Sequence, residues 1–198
     1  SVPVGTPAGT YTITYQICEI LNPTNCDTAV VTVPVRAAAI LAQNDTMPAT
    51  NGLSGNPSVG NVLPNNGSGA DTLNGNPLLN LALITMTVQT PATPLSAGAL
   101  VPTLNTATGT VSVPAGTPAG TYTITYQICE NLNPANCDTA IVTIPVTAAT
   151  IDAVNDTTAP TNGTNGNTNA GNVLTTNGNG PDTLNGTPVT IAQVAIAV

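Results

Sequence analysis

The sequence predicts an all-β fold, arranged as a tandem array of β-sandwich repeats of 111 residues each. The first observation is a duplication without insertion or deletion, since 55 of the 87 residue pairs that lie 111 positions apart are identical. The second is composition: Val and Thr are abundant, and Gly, Pro and Asn recur between apolar stretches, as in short strands joined by tight turns. The third is the lack of any helical period. A period this long fits one whole domain better than one turn of a solenoid.

The clearest strand lies at 121–130, where apolar and polar residues alternate as in a half-buried antiparallel strand. Four residues are expected on its buried face: Tyr122, Ile124, Tyr126 and Ile128. Residues 139–146 are predicted to form its partner. Earlier strands of the same unit are predicted at 39–43, 59–63, 78–89, 99–104 and 110–114. About seven short strands per unit are typical of a Greek-key, Ig-like sandwich. Tyr122, just after Pro118, stands where a tyrosine corner would open the penultimate strand.

The repeat divides the chain into three segments. Residues 1–36 are predicted to be the C-terminal part of a preceding repeat, 37–147 one complete repeat, and 148–198 the N-terminal part of the following repeat. The chain is thus interpreted as a window from a longer protein, and no signal peptide is visible in it. Two stretches, 44–76 and 155–187, are crowded with Asn-Gly steps that favour positive φ, and we expect loop-rich flaps or irregular hairpins there.

Composition excludes several classes of function. The chain has no Lys, His, Trp or Phe, and its one basic residue is Arg36. Imidazole-based metal sites and Ser-His-Asp triads are therefore excluded, and so are the basic clusters that bind nucleic acid. No apolar run reaches 18 residues, so this window predicts no membrane span. We expect a protein that is not an enzyme and that binds no nucleic acid.

The four cysteines form two identically spaced pairs, Cys18 with Cys26 and Cys129 with Cys137. Each pair would link the end of one strand to the start of the next and staple a hairpin from its outer face. The spacing matches neither a CxxC redox motif nor a zinc framework, which were the alternatives. Closing so short a loop contributes on the order of 2–3 kcal/mol. Structural disulfides predict an oxidising, extracellular location.

Six of the seven aspartates precede a threonine. Three such steps per repeat resemble the acceptor motif of protein O-glycosylation in Bacteroidetes, in which the hydroxyl after Asp carries the sugar. The resemblance implies covalent O-glycans on Thr28, Thr46, Thr72, Thr139, Thr157 and Thr183. One alternative is that Asp-Thr is a strand-start dipeptide copied by duplication. The sequons around Asn44, Asn66, Asn155, Asn162 and Asn185 leave N-glycosylation open for a eukaryotic secretory protein.

A weaker hypothesis concerns calcium. Residues 66–75 and 177–186 each resemble a single calcium-binding RTX nonapeptide, which makes Asp71 and Asp182 weak candidate ligands. A hard cation takes six to eight oxygens, and one carboxylate in each copy would bind it poorly. We therefore expect no cofactor. Glu19 and Glu130 are expected to be exposed hairpin carboxylates.

The phrases repeated at 9–19 and 22–35 are similar to repeats of giant Bacteroidetes cell-surface proteins, the SprB-like gliding-motility adhesins exported by the type IX system. The resemblance implies a structural or adhesive segment of a long filament or stalk on the bacterial surface. The resemblance implies that its partners are neighbouring repeats of the same chain. Whether it also binds like chains in a fibre, surface glycans or solid substrates stays open. The alternative is a carbohydrate-binding module array attached to a secreted enzyme, although the only aromatics, Tyr11, Tyr15, Tyr122 and Tyr126, are predicted to point inward.

Overall fold

The computed structural model describes residues 1–64, 66–175 and 178–198, which divide into two compact units, Ser1–Val146 and Thr147–Val198. The described residues form strands and turns, and none of their segments is a helix that could cross a bilayer. The strands of the first unit are β1 (Gly9–Cys18), β2 (Cys26–Val35), β3 (Ile40–Leu41), β4 (Asp45–Thr46), β5 (Thr50–Asn51), β6 (Asn56–Asn61), β7 (Thr72–Leu73), β8 (Asn76–Pro77), β9 (Ile84–Thr90), β10 (Thr103–Asn105), β11 (Thr110–Val113), β12 (Gly120–Glu130) and β13 (Cys137–Thr147). The second unit contains β14 (Ile151–Asp152), β15 (Thr183–Leu184) and β16 (Thr187–Pro188).

Two sheets enclose the core of the first unit. The front sheet has the order β4-β13-β12-β9, with β5 also paired to β13, and the back sheet has the order β10-β11-β6. The chain passes from β6 in the back sheet to β9 in the front, returns through β10 and β11, and ends in the β12–β13 hairpin. This is the Greek-key connectivity of an Ig-like sandwich. The all-β prediction is therefore confirmed.

Alternation along β12 and β13 builds the front half of the core. The inward side chains of the two strands are almost fully buried: Tyr122, Ile124, Tyr126, Ile128, Ala140, Val142, Ile144 and Val146. Val59, Val111 and Val113 meet them from the back sheet. The hydroxyl of Tyr122 donates a hydrogen bond of 2.8 Å to the carbonyl of Pro118, which is the predicted tyrosine corner at the start of β12.

A third, small sheet of order β3-β7-β8 covers one end of the core. The β7–β8 hairpin pairs Leu73 with Asn76, which leaves Asn74 and Gly75 as a two-residue loop. Both loop residues have positive φ, 51° and 75°, as a type I′ turn requires. The prediction that Asn-Gly steps form such turns is confirmed here, while Asn177 of a second predicted step lies outside the described residues.

The β1–β2 hairpin has the same register as β12–β13 but different surroundings. Gly9 pairs with Val35 through to Cys18 with Cys26, just as Gly120 pairs with Val146 through to Cys129 with Cys137. Its core-type residues are exposed by 41% at Tyr11, 56% at Ile13, 47% at Tyr15 and 66% at Ile17. Their counterparts in β12 are exposed by 2%, 1%, 0% and 0%. One sequence therefore presents the same face to solvent in one hairpin and to a core in the other.

The second unit repeats the small sheet. Its strands β14, β15 and β16 have the order β14-β15-β16, and each begins 111 residues after β3, β7 and β8 respectively. The turn is repeated too, since Asn185 and Gly186 have φ of 51° and 73°.

Two predictions about the elements need correction. Residues 44–76 are not loop-rich throughout, because β6, which overlaps the strand predicted at 59–63, pairs with β11 of the back sheet. Gly60 lies in this strand, and a glycine is needed there because an added Cβ would lie 2.5 Å from Sδ of Met47. The strand expected at 78–89 begins only at Ile84, because the side chain of Asn80 accepts the backbone N–H of Ala82 in a turn.

Candidate functional site: the strand switch and the linker clamp

Residues 42–44, here called the strand switch, connect two sheets. The chain leaves the small sheet after Leu41 and joins the front sheet at Asp45, where β4 runs parallel to β13. Between these points the backbone has no strand neighbour, and buried backbone polar groups need partners. The partners are side chains: Asp138 Oδ2 accepts Ala42 N at 2.9 Å, and Asp71 Oδ1 accepts Gln43 N at 2.7 Å.

Tyr126 completes the strand switch from the core side. Its hydroxyl lies 3.1 Å from the carbonyl oxygen of Gln43 and 3.0 Å from Asp45 Oδ2. The same hydroxyl lies 3.3 Å and 3.1 Å from the two carboxylate oxygens of Asp71. A phenol carries one proton and can satisfy only part of this set of acceptors. The arrangement therefore favours a proton on one of the two carboxyls.

The electrostatics of the pair agree with that stoichiometry. Burial raises the pKa of Asp45 to about 6, against the lowering effect of hydrogen bonds from Tyr126 and Asn66. The pKa of Asp71 is raised to about 7, mainly by burial and also by the nearby charges of Asp45 and Asp138, against the lowering effect of hydrogen bonds from Gln43 N and Tyr126. The pKa of Tyr126 is raised by burial and then by both carboxylates, so the phenol stays protonated. The direction of these pKa shifts and the contacts of the Tyr126 hydroxyl both favour a proton shared between Asp45 and Asp71.

A second set of contacts, here called the linker clamp, holds the segment that joins β2 to β3. Glu130 Oε2 accepts the backbone N–H of Ala38 at 3.2 Å, and Asn136 Nδ2 donates to the Ala38 carbonyl at 2.8 Å. The two side chains are also joined at 2.8 Å. In addition, Asn133 Oδ1 accepts Ala8 N of the β1 hairpin at 2.7 Å. The β12–β13 loop thus fixes both the linker and the hairpin that precedes it.

Glu130 corrects a sequence-based expectation. The residue is 5% exposed, so it is not an exposed hairpin carboxylate. Burial raises its pKa, but hydrogen bonds from Asn133, Asn136 and Ala38 outweigh that effect and hold the pKa below 4.5. Glu19, its counterpart in β1–β2, is exposed and is bound only by Asn22 and Asn25. In the linker clamp the ionised carboxylate of Glu130 accepts a backbone N–H, and such charge-assisted hydrogen bonds are stronger than those between neutral groups.

Both cysteine pairs are disulfide-bonded, Cys18 with Cys26 and Cys129 with Cys137. In each pair the cysteines are directly opposite each other at the loop end of the hairpin. They share the face of Gln127 and Thr139, opposite the core, as the alternation predicts. The bridge closes the loop that carries Asn133 and Asn136, and so it fixes the linker clamp at its base.

The threonines of the Asp-Thr steps differ in accessibility. Four are exposed: Thr28, Thr46, Thr139 and Thr157. Thr72 and Thr183 are half-buried in β7 and β15. The aspartates before them also have structural contacts, since Asp27 and Asp138 each accept the backbone N–H of the following threonine at 2.8 Å and 2.9 Å.

The two candidate calcium ligands, Asp71 and Asp182, make equivalent backbone contacts but differ in burial. Asp71 is fully buried and its carboxylate faces Gln43 and Tyr126. Asp182 is half-buried and accepts Val154 N at 2.7 Å, which repeats the bond from Asp71 to Gln43. Within 1–64, 66–175 and 178–198, no group of three or more acidic, His or Cys side chains is arranged to hold a metal ion.

Sequence reasoning missed the structural partners of the aspartates and of Glu130. A signal for Glu130 existed, because it has the same parity along β12 as Tyr126 and Ile128 and therefore faces inward. The buried Tyr126 also predicts an acceptor near its hydroxyl, since buried tyrosines bond through their O–H. The strand-switch partners had no local signal, because they lie 28 to 96 residues from the backbone groups that they bind.

No protein-family model matches the chain, and no curated protein matches it. Among solved structures it is similar to the human desmocollin-1 ectodomain, with a TM-score of 0.37 and 10% identity over 61% of this chain and 23% of that one. It is also similar to extracellular cadherin domains 3–6 of protocadherin gamma B2, with a TM-score of 0.37 and 13% identity over 76% and 36% of the two chains. The EC1-2 segment of human mucin-like protocadherin gives a TM-score of 0.34 and 14% identity over 70% and 69%. At these values the likeness identifies no family.

Proposed function

We propose that the chain is a structural or adhesive repeat segment of a long extracellular filament or stalk. The observation that carries the proposal is that the disulfide-stapled hairpin β1–β2 recurs as β12–β13 with the same register, 111 residues later. In this proposal residues 1–36 end one repeat, 37–147 form the next, and 148–198 begin a third. Copies of one domain in series supply length, and their function belongs to the array.

The linker clamp supports an extended arrangement. The linker between β2 and β3 is only a few residues long, and Glu130 and Asn136 bind its backbone at Ala38. Asn74 binds the next residue, Ala39, and Asn185 binds Thr150 in the same way in the following copy. Short linkers that are hydrogen-bonded to the domain they enter restrict bending between repeats, whereas free linkers would permit it.

The location that we propose is the outside of a bacterial cell, and the gliding-motility adhesins remain the proposed type. Two disulfides support an oxidising compartment. O-glycans on the Asp-Thr threonines are part of the proposal, supported by the exposure of Thr28, Thr46, Thr139 and Thr157. Charged residues make up only 5% of the sequence, and polar glycans would help to keep such a weakly charged protein soluble.

Electron microscopy of the native, full-length protein tests the filament directly. We expect a beaded rod whose bead spacing matches one sandwich, while compact globules would refute the proposal. Peptide mass spectrometry of the same material tests the glycans. We expect modification at Thr46 and Thr139, with lower occupancy at the half-buried Thr72. The unmodified mass at all three positions would reject the O-glycosylation part and leave the filament untouched.

A further inference from the structure

The linker between β2 and β3 contains the only basic residue of the chain, Arg36. Its counterpart 111 residues later is Thr147, although the neighbouring residues are the same in both linkers. The two linkers read Pro-Val-Arg-Ala-Ala at 34–38 and Pro-Val-Thr-Ala-Ala at 145–149. A protease that requires Lys or Arg on the N-terminal side of the bond it cuts therefore finds one such bond in the 198 residues, between Arg36 and Ala37.

The Arg36–Ala37 bond is accessible. Both residues are exposed and lie outside the strands, since β2 ends at Val35. Within residues 1–64, 66–175 and 178–198, the backbone of neither residue forms a hydrogen bond. Thr147 is also exposed, although it ends a strand, β13, whose inward side chains are packed into a core. Exposure at this position therefore does not depend on whether the hairpin before it is covered.

Hydrolysis of this bond would separate the chain into two pieces. The two disulfides use all four cysteines, and each lies within one hairpin, β1–β2 before the bond and β12–β13 after it. One water adds across the amide, which leaves a carboxylate on Arg36 and an amino group on Ala37. The products, 1–36 and 37–198, are then not joined covalently. Both sheets of the sandwich stay in the second product, because their strands run from β4 to β13.

The linker clamp holds the residues that follow the bond. A protease binds its substrate as an extended strand, through backbone groups on both sides of the bond that it cuts. On the C-terminal side these groups already have partners, since Glu130 accepts the N–H of Ala38 and Asn136 donates to its carbonyl. The side chain of Asn74 accepts the N–H of Ala39 at 2.9 Å. The linker can enter a protease only when these contacts open, so the cleavage rate follows the population of the open linker.

We propose that the Arg36–Ala37 bond is a processing site for an arginine-specific endopeptidase, and that the linker clamp sets how fast it is cut. An acidic pocket of such a protease binds the guanidinium group, as in trypsin. This processing step goes beyond the filament function, because it makes one linker cleavable and leaves the linker at Thr147 resistant to the same protease. In the proposed array the cut falls between two repeats, so it releases part of the array without opening a sandwich.

Digestion of the native chain with trypsin, followed by mass spectrometry without reduction, tests the site. We expect two separate masses, for residues 1–36 and 37–198, and no cleavage of an Arg36→Gln variant. A synthetic peptide of residues 31–42 gives the cleavage rate of an unfolded linker. The native chain should be cut less than about 1,000-fold more slowly than this peptide, because only the linker has to open. Stronger protection would overturn the proposal, since opening that rare corresponds to unfolding of the whole unit.

Glu130→Ala tests the control by the linker clamp. The variant lacks the acceptor of Ala38 N, so trypsin should cut the native chain roughly 10- to 30-fold faster, as expected for the loss of a hydrogen bond to a charged group. Glu19→Ala changes the exposed counterpart and should be cut at the rate of the unmodified chain. Equal rates in the two variants would show that the clamp does not control the bond.

A second variant and a second protease separate opening of the linker from unfolding of the sandwich. Asn136→Ala removes the donor to the Ala38 carbonyl and leaves the buried Glu130 in place, so it should also accelerate cleavage. Thermolysin, which cuts beside apolar residues, should leave the 37–198 product intact in both variants. If thermolysin degrades this product as fast as trypsin cuts at Arg36, cleavage depends on unfolding of the sandwich and the proposal is wrong.

Discussion

The hydroxyl of Tyr126 lies 3.1 Å from Oδ2 and 3.3 Å from Oδ1 of Asp71, in the interior of the sandwich. Asp71 reaches this position from the start of the β7 hairpin, and Tyr126 reaches it from the centre of β12. The contact therefore joins the small sheet to the front sheet. It also places a titratable pair, Asp45 and Asp71, where most β-sandwiches have apolar side chains.

Loss of the Tyr126 hydroxyl should destabilise the first unit. Tyr126→Phe keeps the ring in the core but leaves Asp45 and Asp71 without their shared donor. We expect a loss of about 2 kcal/mol in the free energy of unfolding, as for other buried acceptors left unsatisfied. Urea denaturation followed by circular dichroism measures it. Tyr15→Phe is the matched control, because Tyr15 is 47% exposed, and it should leave the unfolding transition where it was. Equal effects would contradict the assignment.

The stability of the first unit should decrease as pH rises through neutrality. The folded-state pKa values of about 6 for Asp45 and about 7 for Asp71 lie above the ordinary value of 3.8. Carboxyls with raised pKa values stabilise the folded state when they are protonated, and this stabilisation is lost as pH rises past the folded-state values. We expect a higher melting temperature at about pH 5 than at about pH 8.

Asp71→Asn provides the control for this pH dependence. The amide keeps an oxygen for Gln43 N and carries no charge at any pH, so the difference in melting temperature between the two conditions should shrink. Glu130 acts in the opposite direction, because its lowered pKa gives stability that is lost only as the solution becomes more acidic than its ordinary 4.5. An unchanged pH profile in the Asp71→Asn variant would show that the dependence arises elsewhere.

Removal of the second disulfide should cost stability, and removal of the first should not. Replacing Cys129 and Cys137 by Ala reopens a loop of about eight residues, which corresponds to roughly 2.5 kcal/mol in the chain-entropy relation. The same replacement at Cys18 and Cys26 affects a hairpin whose inward-type side chains are exposed. Calorimetry of the two double variants should therefore show a lower melting temperature for the sandwich when Cys129 and Cys137 are replaced, and an unchanged one when Cys18 and Cys26 are replaced.

Glu130→Ala should release the linker. The substitution removes the acceptor of Ala38 N and one partner of Asn136, at a cost of roughly 2 kcal/mol for hydrogen bonds to a charged group. Hydrogen exchange detected by mass spectrometry should show faster exchange in the peptide that contains Ala38. Glu19→Ala changes the exposed counterpart and should leave exchange at Ala38 unaltered. Unchanged exchange in Glu130→Ala would mean that Asn136 alone holds the linker.

Chelation should have no effect on the fold. The buried carboxylate of Asp71 already binds Gln43 N and Tyr126, so the first unit needs no cation to satisfy it. We expect the same melting temperature with EDTA and with added calcium. A rise of several degrees with calcium would instead support the RTX-like hypothesis for Asp71 or Asp182.

The parts of the fold that follow from local sequence could be predicted. Alternation in β12 specifies which face is buried, and cysteine spacing specifies the staple, because both depend on neighbours in one hairpin. The Asn74-Gly75 turn could be predicted for the same reason, because its positive φ angles depend on the two loop residues themselves. The strand predicted at 59–63 overlaps β6, but the bounds of β6 could not be derived in this way, since Gly60 resembles a turn residue until Met47 is packed against it.

The strand switch could not be predicted for a different reason. Asp45, Asp71 and Asp138 stand in Asp-Thr steps that look equivalent, and their separate roles arise only when distant segments meet around residues 42–44. A polar residue can be buried at low cost only where the fold also supplies its hydrogen-bond partners. Here those partners are far away in the sequence, so local patterns do not reveal them.

The parallel pairing of β4 with β13 determines how the unit bears tension. A force transmitted along the chain enters at the N-terminal side of Asp45 and leaves at the C-terminal side of Thr147. In parallel neighbours these two points lie at opposite ends of the paired segment, so the pull slides one strand along the other. The backbone bonds between them, including Met47 N to Thr143 O, are then loaded together and do not open one after another. The first and last strands of the sandwich are therefore a shear joint in the direction in which a surface filament would be stretched.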